Sequence, residues 1–274
     1  MNSTWPNILS RRDLIRELTL SELRSRSAET RLGWVWWLVD PLIMMLIYWG
    51  VVVGIFGRGQ SYTPYPVFIL CALLPWKHFQ SGLTHASKVL RNNEGLIKSI
   101  AFPTMILPLT NVLAGFAYFL FGLVVLIAAA LFFERPIGAS IVQLPALMAF
   151  QFLLVTSFSL VATSFGALIR DLSGFLTHVL RVGFYFSPTL YGVDMVRERV
   201  AGGALGDSAW SEWVPTLYML NPFAILIHGY RQALFFGGWL EPRWWGVLAV
   251  EAVVLFAIGQ AVYRYFDRRV IKFL

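Results

Sequence analysis

Residues 24–56 read RSRSAETRLGWVWWLVDPLIMMLIYWGVVVGIF. The stretch begins with arginines, continues through Trp34, Trp36 and Trp37, and leads into an uncharged run over 42–57. Arginine is held on the cytoplasmic side of membrane spans, and the half-polar ring of Trp favours the headgroup level. The pattern therefore predicts that the chain enters a bilayer here, from the cytoplasmic side.

The composition indicates a membrane protein throughout. Of the 274 residues 57% are apolar, 16% aromatic and only 14% charged, unlike an ordinary soluble domain. The net charge of +7 does not indicate nucleic-acid binding, because the charges lie at the ends of apolar runs. The first apolar run follows a charged segment and is long enough to span, so it is not a cleavable signal peptide. The single cysteine, Cys71, is expected to be a small buried apolar residue.

Six apolar runs of about twenty residues predict an all-α polytopic membrane protein with six transmembrane helices. They lie near 34–56, 66–87, 105–132, 144–168, 174–193 and 244–263. Both chain ends are basic, so both are predicted to be cytoplasmic and the number of crossings to be even. A seventh apolar stretch, 222–240, is interrupted by His228 and Arg231. We therefore expect it to be a re-entrant or interfacial segment on the outer side.

Two parts of the chain are distinguished by these patterns. Residues 1–33 are predicted to form a cytoplasmic amphipathic interface helix, with a merely charged tail as the alternative. Residues 34–274 are predicted to form the transmembrane domain. Its cytoplasmic segment 88–103 joins spans two and three, and its outer segment 194–240 joins spans five and six. The apolar positions of the interface helix are Ile8, Leu14, Ile15, Leu18 and Leu23.

Motifs of catalysis and nucleotide binding are absent from the sequence. We find no phosphate loop of the form G-x-x-x-x-G-K-[ST], no G-x-S-x-G elbow and no H-E-x-x-H pair. The four histidines lack the spacing of a metal site. No catalytic residue, metal or cofactor is therefore predicted in this chain. The alternative of a membrane-embedded glycosyl- or acyltransferase would need converging acid, base or metal residues.

Three charged residues lie inside predicted spans: Lys77, Arg181 and Glu251. Charge at membrane depth is costly, so each needs a functional or structural explanation. For Lys77 a water-filled path and a structural ion pair are both open. Arg181 is interpreted as an anchor that reaches the inner surface, and Glu251 as the partner of a neighbouring helix, with a role in transport as the alternative for Glu251.

Aromatic residues inside spans one and five predict a path for a sugar chain. Tyr and Trp offer a sugar an apolar face and a hydrogen-bonding edge without trapping it by charge. Ordinary packing is the alternative for each single residue. The candidate path residues are Tyr48, Trp49, Lys77, Phe184, Tyr185 and Phe186.

Six landmarks, taken in chain order, resemble those of the ABC-2 permeases that export polysaccharides such as O-antigen, teichoic acid and capsule. No single motif is specific, but their order and spacing cover essentially the whole chain. The landmarks are Arg31-Leu32-Gly33-Trp34 with Trp37 and Asp40-Pro41, Leu74-Pro75-Trp76, Asn93-Glu94-Gly95-Leu96-Ile97-Lys98 with Phe102-Pro103, Arg170-Asp171, Phe186-Ser187-Pro188 with Tyr191, and Asn221-Pro222-Phe223 with Tyr230-Arg231.

The resemblance implies a homodimer in the bacterial cytoplasmic (inner) membrane, in contact with membrane lipid and with two P-loop ATPase subunits that bind ATP and Mg²⁺. It implies export of a polyprenyl-diphosphate-linked polysaccharide, with a smaller lipid or drug as the alternative substrate. Lys77 departs from the neutral residue expected in this family, which leaves open a substrate with additional negative charge.

The resemblance also implies two further groups of functional residues. The segment 88–103 would be the coupling helix that contacts the ATPase, and 194–240 would form an outer gate. The coupling residues are Arg91, Glu94, Leu96, Ile97 and Lys98, and the gate residues are Asn221, Pro222, Tyr230 and Arg231.

Overall fold

The structure is a computed structural model that describes residues 10–28, 35–55, 57, 62–99, 102–202 and 213–270. Within these ranges all regular secondary structure is helical, which confirms the predicted all-α class. Some residues used above lie outside the described part: Ile8, Arg31, Leu32, Gly33, Trp34 and the side chain of Trp37.

Eleven α-helices follow one another in the described residues. They are α1 Arg12–Ala28, α2 Trp36–Trp49, α3 Tyr65–Asn92, α4 Glu94–Ser99, α5 Ile106–Phe132, α6 Leu144–Leu168, α7 Leu172–Phe186, α8 Val193–Ala201, α9 Val214–Met219, α10 Pro222–Arg231 and α11 Pro242–Val270. Wider π-helical turns extend α2 over Gly50–Ile55 and α10 over Gln232–Phe236. A 3₁₀ turn, Ala139–Gln143, leads into α6.

Three helices among the described residues are long and apolar enough to cross a membrane: Ile106–Phe132, Ala139–Leu168 and Pro242–Phe266. A shorter apolar helix covers Val39–Ile55. The remaining predicted spans coincide with α3 and with α7, which ends at Phe186 because Ser187 precedes a proline and is extended. The transmembrane character is thus confirmed, while the six-span count, the re-entrant segment and the side on which the ends lie stay predictions.

The centre of the fold is α3, which contacts α2, α5, α6, α7 and α10. Residues 67–72 of this helix are fully buried, and they include the free thiol of Cys71. Two glycines allow close helix contacts in this core. Gly166 of α6 lies against the backbone of Ser87 on α3, and Gly259 of α11 lies against Ser157 on α6. A side chain at either glycine would collide with backbone, so both pairs use the small-residue contacts common between membrane helices.

The N-terminal helix α1 packs on α5. Leu14, Ile15 and Leu18 contact an apolar cluster that includes Met105 at the start of α5. Arg26 donates to Asn111 Oδ1 on α5 at 2.6 Å. The apolar side of α1 is therefore covered at least in part by the protein's own helices, and its contact with lipid stays a prediction.

Candidate functional site

A groove between α2, α3 and α7 contains most of the predicted path residues. Its volume is about 390 Å³. Four of the six path residues line it: Tyr48, Lys77, Phe184 and Tyr185. We call this surface the groove. The structure places these residues together, while passage of a glycan along them stays a prediction.

The groove forms because each helix turns one face towards it. Residues three, four and seven positions apart lie on the same side of an α-helix. The residues with this spacing that line the groove are Pro41, Met44 and Tyr48 on α2, Leu73, Lys77 and Gln80 on α3, and Arg181, Phe184 and Tyr185 on α7. The same spacing, counted from Lys77 along the sequence, would have identified Gln80, which the sequence-based prediction missed.

The other two predicted path residues, Trp49 and Phe186, do not line the groove. Trp49 is 46% exposed and Phe186 is 73% exposed, both outside this groove.

Aromatic rings line the groove both at its buried base and at its solvent-exposed edge. The Phe184 ring is buried, and its centroid lies 5.8 Å from that of Tyr48, 6.0 Å from that of Trp76 and 5.3 Å from that of Tyr185. Tyr185, in contrast, is 55% exposed. Trp76 was quoted above only as a landmark of the second span. Such a surface offers an apolar body with hydroxyl groups at its rim.

The groove also carries excess positive charge. Lys77 Nζ forms an ion pair with Asp40 of α2, and the two side chains are 47% and 37% exposed. Lys77 thus forms an ion pair and also lines the groove, while a water-filled path at this position stays a prediction. Arg181 lies in the same groove, and no carboxylate of the described residues is within ion-pair distance of it. Of these two cations, only Lys77 therefore has a carboxylate partner within the described residues.

Glu251 of α11 differs from its interpretation above. Its Oε2 is buried and has no hydrogen-bond partner, and it forms no ion pair within the described residues. The expected ion pair with a neighbouring helix is not formed there.

Arg231, a predicted gate residue, is buried at the end of α10 and is only 2% exposed. Its guanidinium donates to the carbonyl oxygens of Pro188 at 2.6 Å, Thr189 at 2.8 Å and Tyr191 at 2.8 Å. It also lies 3.6 Å from the centroid of the Phe68 ring. These carbonyls directly follow the C-terminus of α7, where a cation is favoured by the helix dipole. We call Arg231 with segment 187–191 the Arg231 hub.

Asn221 and Pro222, two further predicted gate residues, begin α10 beside the hub. The Asn221 side chain accepts from the backbone N–H of Phe223 at 3.0 Å, which makes it the N-cap, and its amide donates to Ser187 Oγ at 3.0 Å. Pro222 occupies the first helical turn, where its missing N–H costs nothing. Both ends of α10 therefore hold the segment after α7.

Tyr230, the fourth predicted gate residue, joins a buried polar network across three helices. Its O–H donates to Gln151 Oε1 of α6 at 2.6 Å, and Gln151 Nε2 donates to His78 Nδ1 of α3 at 2.9 Å. Because polar groups without partners are costly in an apolar interior, this network fixes the relative positions of α3, α6 and α10.

The helix α10 with its extension is shorter than the hydrocarbon core of a membrane. From Pro222 to Phe236 it measures ~22 Å, against a hydrocarbon core of roughly 30 Å. Gly237 then ends it with a left-handed φ of +69°, and a side chain there would meet the carbonyl of Pro136. Since α7 is equally short, length does not separate the two, and the re-entrant position of α10 stays a prediction.

Two tyrosines tie the segments around α8 and α9 to the rest of the fold. Tyr62, before α3, donates to Asp194 Oδ2 of α8 at 2.7 Å, and burial together with this carboxylate raises the pKa of Tyr62. Tyr218 of α9 donates to the Tyr191 hydroxyl at 3.0 Å, and burial followed by this hydrogen bond raises the pKa of Tyr218. Both phenols therefore stay protonated at neutral pH.

The predicted coupling segment contains the short helix α4. Lys98 Nζ contacts Glu94 Oε1 at 2.5 Å, one turn apart. Arg91, at the end of α3, donates to the backbone carbonyl of Arg170 at 3.0 Å. The segment is thus tied to the turn between α6 and α7.

Leu96 and Ile97 are half-buried against the same apolar cluster that α1 contacts. Only the uncovered half of each side chain is left for a partner. Contact with an ATPase through these two residues stays a prediction, as do the coupling roles of Arg91, Glu94 and Lys98.

Comparison with known proteins adds to this geometry, although no family model matches the chain. The chain is 26% identical over 263 residues to the O-antigen export system permease protein RfbA of Klebsiella pneumoniae, covering 96% of this chain and 95% of that protein. It is 23% identical over 249 residues to RfbA of Myxococcus xanthus, covering 90% of each. It is 24% identical over 256 residues to the polysialic acid transport protein KpsM of Escherichia coli, covering 91% and 92%. These relatives confirm the resemblance identified from the sequence, to the ABC-2 permeases of the polysaccharide exporters.

Proposed function

We propose that this chain is the transmembrane permease subunit of an ATP-driven exporter that moves a polysaccharide out of the cytoplasm. The similarity to O-antigen and polysialic acid export proteins over at least nine-tenths of the chain carries this proposal. The substrate is a glycan of the O-antigen, teichoic acid or capsule type, linked to a polyprenyl diphosphate.

The proposed assembly contains two copies of this chain and two separate P-loop ATPase subunits that bind ATP and Mg²⁺. The absence of a phosphate loop from the sequence supports a separate ATPase. Each permease crosses the inner membrane six times with both ends in the cytoplasm. In this arrangement α10 is re-entrant on the outer side, where it forms the gate with the Arg231 hub.

A single rigid helix supports the proposed coupling of ATP hydrolysis to transport. Helix α3 runs without a break from Tyr65 to Asn92, so it joins the groove at Lys77 to the segment beside α4. When the ATPases close, they push this segment, and α3 carries the displacement to the groove. The groove then opens between the two copies as the aromatic path of the glycan.

Deletion of the gene in its native host tests the proposed function. We expect loss of the surface glycan and accumulation of its lipid-linked precursor in the cytoplasm, both reversed by the wild-type gene. A normal surface glycan with no accumulated precursor would contradict polysaccharide export. Altered drug or lipid efflux in that strain would favour the smaller substrate instead. Turnover of a glycosyl or acyl donor by the purified chain alone would favour the transferase alternative.

A further inference from the structure

We propose that Lys77 and Arg181 bind the diphosphate of the lipid-linked substrate in the groove, and that Asp40 competes with this anion for Lys77. The proposal rests on the proposed function and names the part of the substrate that the groove holds.

The charge of the groove is the first argument. Lys77 and Arg181 both line it, whereas Asp40 is the only carboxylate of the described residues that pairs with either. An unpaired cation at membrane depth is costly and marks a substrate or ion site. A bound anion would supply the missing negative charge.

The exposure of the ion pair is the second argument. Both Lys77 and Asp40 remain more than one-third exposed, and ion pairs with this exposure contribute little to stability. A diphosphate, by contrast, can accept several charge-assisted hydrogen bonds from two cations at once. The anion therefore displaces Asp40 at little cost. Since Asp40 lies on α2 and Lys77 on α3, its binding also removes a link between these helices.

The surroundings of the two cations fit a lipid-linked sugar. The buried rings of Trp76 and Phe184 lie beside them, with the Tyr185 hydroxyl at the open edge. A volume of about 390 Å³ lies within the range of small-molecule sites. It accommodates a diphosphate together with the first sugar, which stacks on the aromatic rings.

Arg231 shows that this reasoning does not apply to every buried cation. Four of the five N–H donors of its guanidinium bind backbone carbonyls, and the Phe68 ring covers one face. These contacts lie within the fold, and its role is structural. Lys77 and Arg181 differ from Arg231 because they have hydrogen-bond donors available for a ligand.

The group that the two cations would bind is an oxyanion. Both the diphosphate and an acidic sugar carry such a group. We assign it to the diphosphate. The test uses the complete exporter in lipid nanodiscs and measures the binding of three probes: polyprenyl diphosphate, uncharged polyprenol, and the free glycan released from its lipid. Four variants are compared with the wild type: Lys77→Met, Arg181→Gln, Asp40→Asn and Arg264→Gln.

Lys77→Met and Arg181→Gln should each weaken the binding of polyprenyl diphosphate about tenfold and leave polyprenol unchanged, because each removes one cationic donor. Asp40→Asn should strengthen binding about threefold, since the competing carboxylate is gone. Arg264→Gln makes the same change as Arg181→Gln at an exposed position of α11 outside the groove, and it should bind as the wild type does. Should Lys77→Met not assemble, the double variant Asp40→Asn/Lys77→Met removes the cation without leaving the carboxylate unpaired.

The other outcomes separate the possibilities. Unchanged diphosphate binding in both cation variants, with glycan export intact in the wild type, overturns this inference and leaves the proposed function standing. If the cation variants weaken the binding of the free glycan but not of polyprenyl diphosphate, the bound oxyanion belongs to an acidic sugar. This result overturns the assignment to the diphosphate. A wild-type exporter that binds no polyprenyl diphosphate, in a host whose deletion strain exports glycan normally, contradicts the proposed function itself.

Discussion

Arg181 and Arg231 are both arginines in apolar surroundings, yet their environments are opposite. Arg231 is buried in the hub and donates to four backbone carbonyls, those of Phe68, Pro188, Thr189 and Tyr191. Arg181 is exposed in the groove, and within the described part of the chain it has no carboxylate partner. A buried cation with four of its five donors bound to the backbone holds the fold together, whereas a cation with available donors can bind a ligand.

The two regions are also mechanically connected, because α7 belongs to both. Its last turns carry Arg181, Phe184 and Tyr185 into the groove, and the segment that follows is held by Arg231. The hydroxyl of Thr189 in that segment donates to the Phe184 carbonyl at 2.7 Å. The hub therefore determines where the groove residues of α7 lie. A substitution that disrupts the hub should also displace these residues.

The largest effect is expected for Arg231→Met. The variant removes the donors from four carbonyls in an apolar interior, and unsatisfied buried acceptors cost about 1–3 kcal/mol each. We expect a loss of at least about 3 kcal/mol in stability and little folded protein. Thermal unfolding in detergent measures this, with Arg231→Lys as the matched variant that keeps the charge but reaches fewer carbonyls. An unchanged midpoint for Arg231→Met would mean that the hub is not structural.

Arg181→Gln should leave stability nearly unchanged and reduce export, whereas Arg231→Met acts on stability. No structural partner is lost, so stability should change by no more than about 0.5 kcal/mol. Export should nevertheless fall about tenfold, the loss expected for one charge-assisted contact. Surface glycan is quantified in the deletion strain complemented with each variant, at matched permease levels. Normal export by a well-folded Arg181→Gln protein would remove the distinction between the two arginines.

Within α7 itself, Tyr185→Ala should reduce export about fivefold, since a stacking ring contributes roughly 1 kcal/mol. Phe175→Ala is the matched control, because Phe175 is an exposed ring on the same helix outside the groove. Phe186→Ala should have a smaller effect than Tyr185→Ala. Equal effects of the three variants on export would show that the groove face has no special role.

The smallest effect is expected for Tyr230→Phe, next to the hub. The change removes one hydrogen bond to Gln151 and keeps the ring, so a loss of about 1 kcal/mol is expected. The unfolding midpoint should drop by a few degrees, with export retained because the groove is untouched. A loss comparable to that of Arg231→Met would instead place the Tyr230 network at the centre of stability.

Much of the helical framework was predictable because its signals are local. The apolar run at 105–132 became α5, Ile106–Phe132, since such a run buries its backbone polar groups only as a helix. The end of α7 at Phe186 was less well predicted, because the apolar run continues past Ser187 while the following proline ends the helix.

The candidate site was only partly predictable, and the reason is geometric. Tyr48 and Tyr185 were selected as aromatic residues inside spans, and they do share the groove. Trp49 and Phe186 were selected on the same grounds, but they face away, because composition carries no information about which face of a helix meets its neighbour. Gln80 lacked both charge and aromatic character, so only its distance from Lys77 along the helix marks it.

By itself, the sequence determined that this chain is an all-helical membrane protein and which relatives it resembles, because apolar runs and ordered landmarks are properties of neighbouring residues. Only the tertiary structure decided that Lys77 meets Asp40, that Arg231 holds the segment after α7, and that Arg181 is left available in the groove. These contacts join residues far apart in the chain. They depend on how the helices pack and rotate against one another, and that arrangement follows from the burial of whole helix faces.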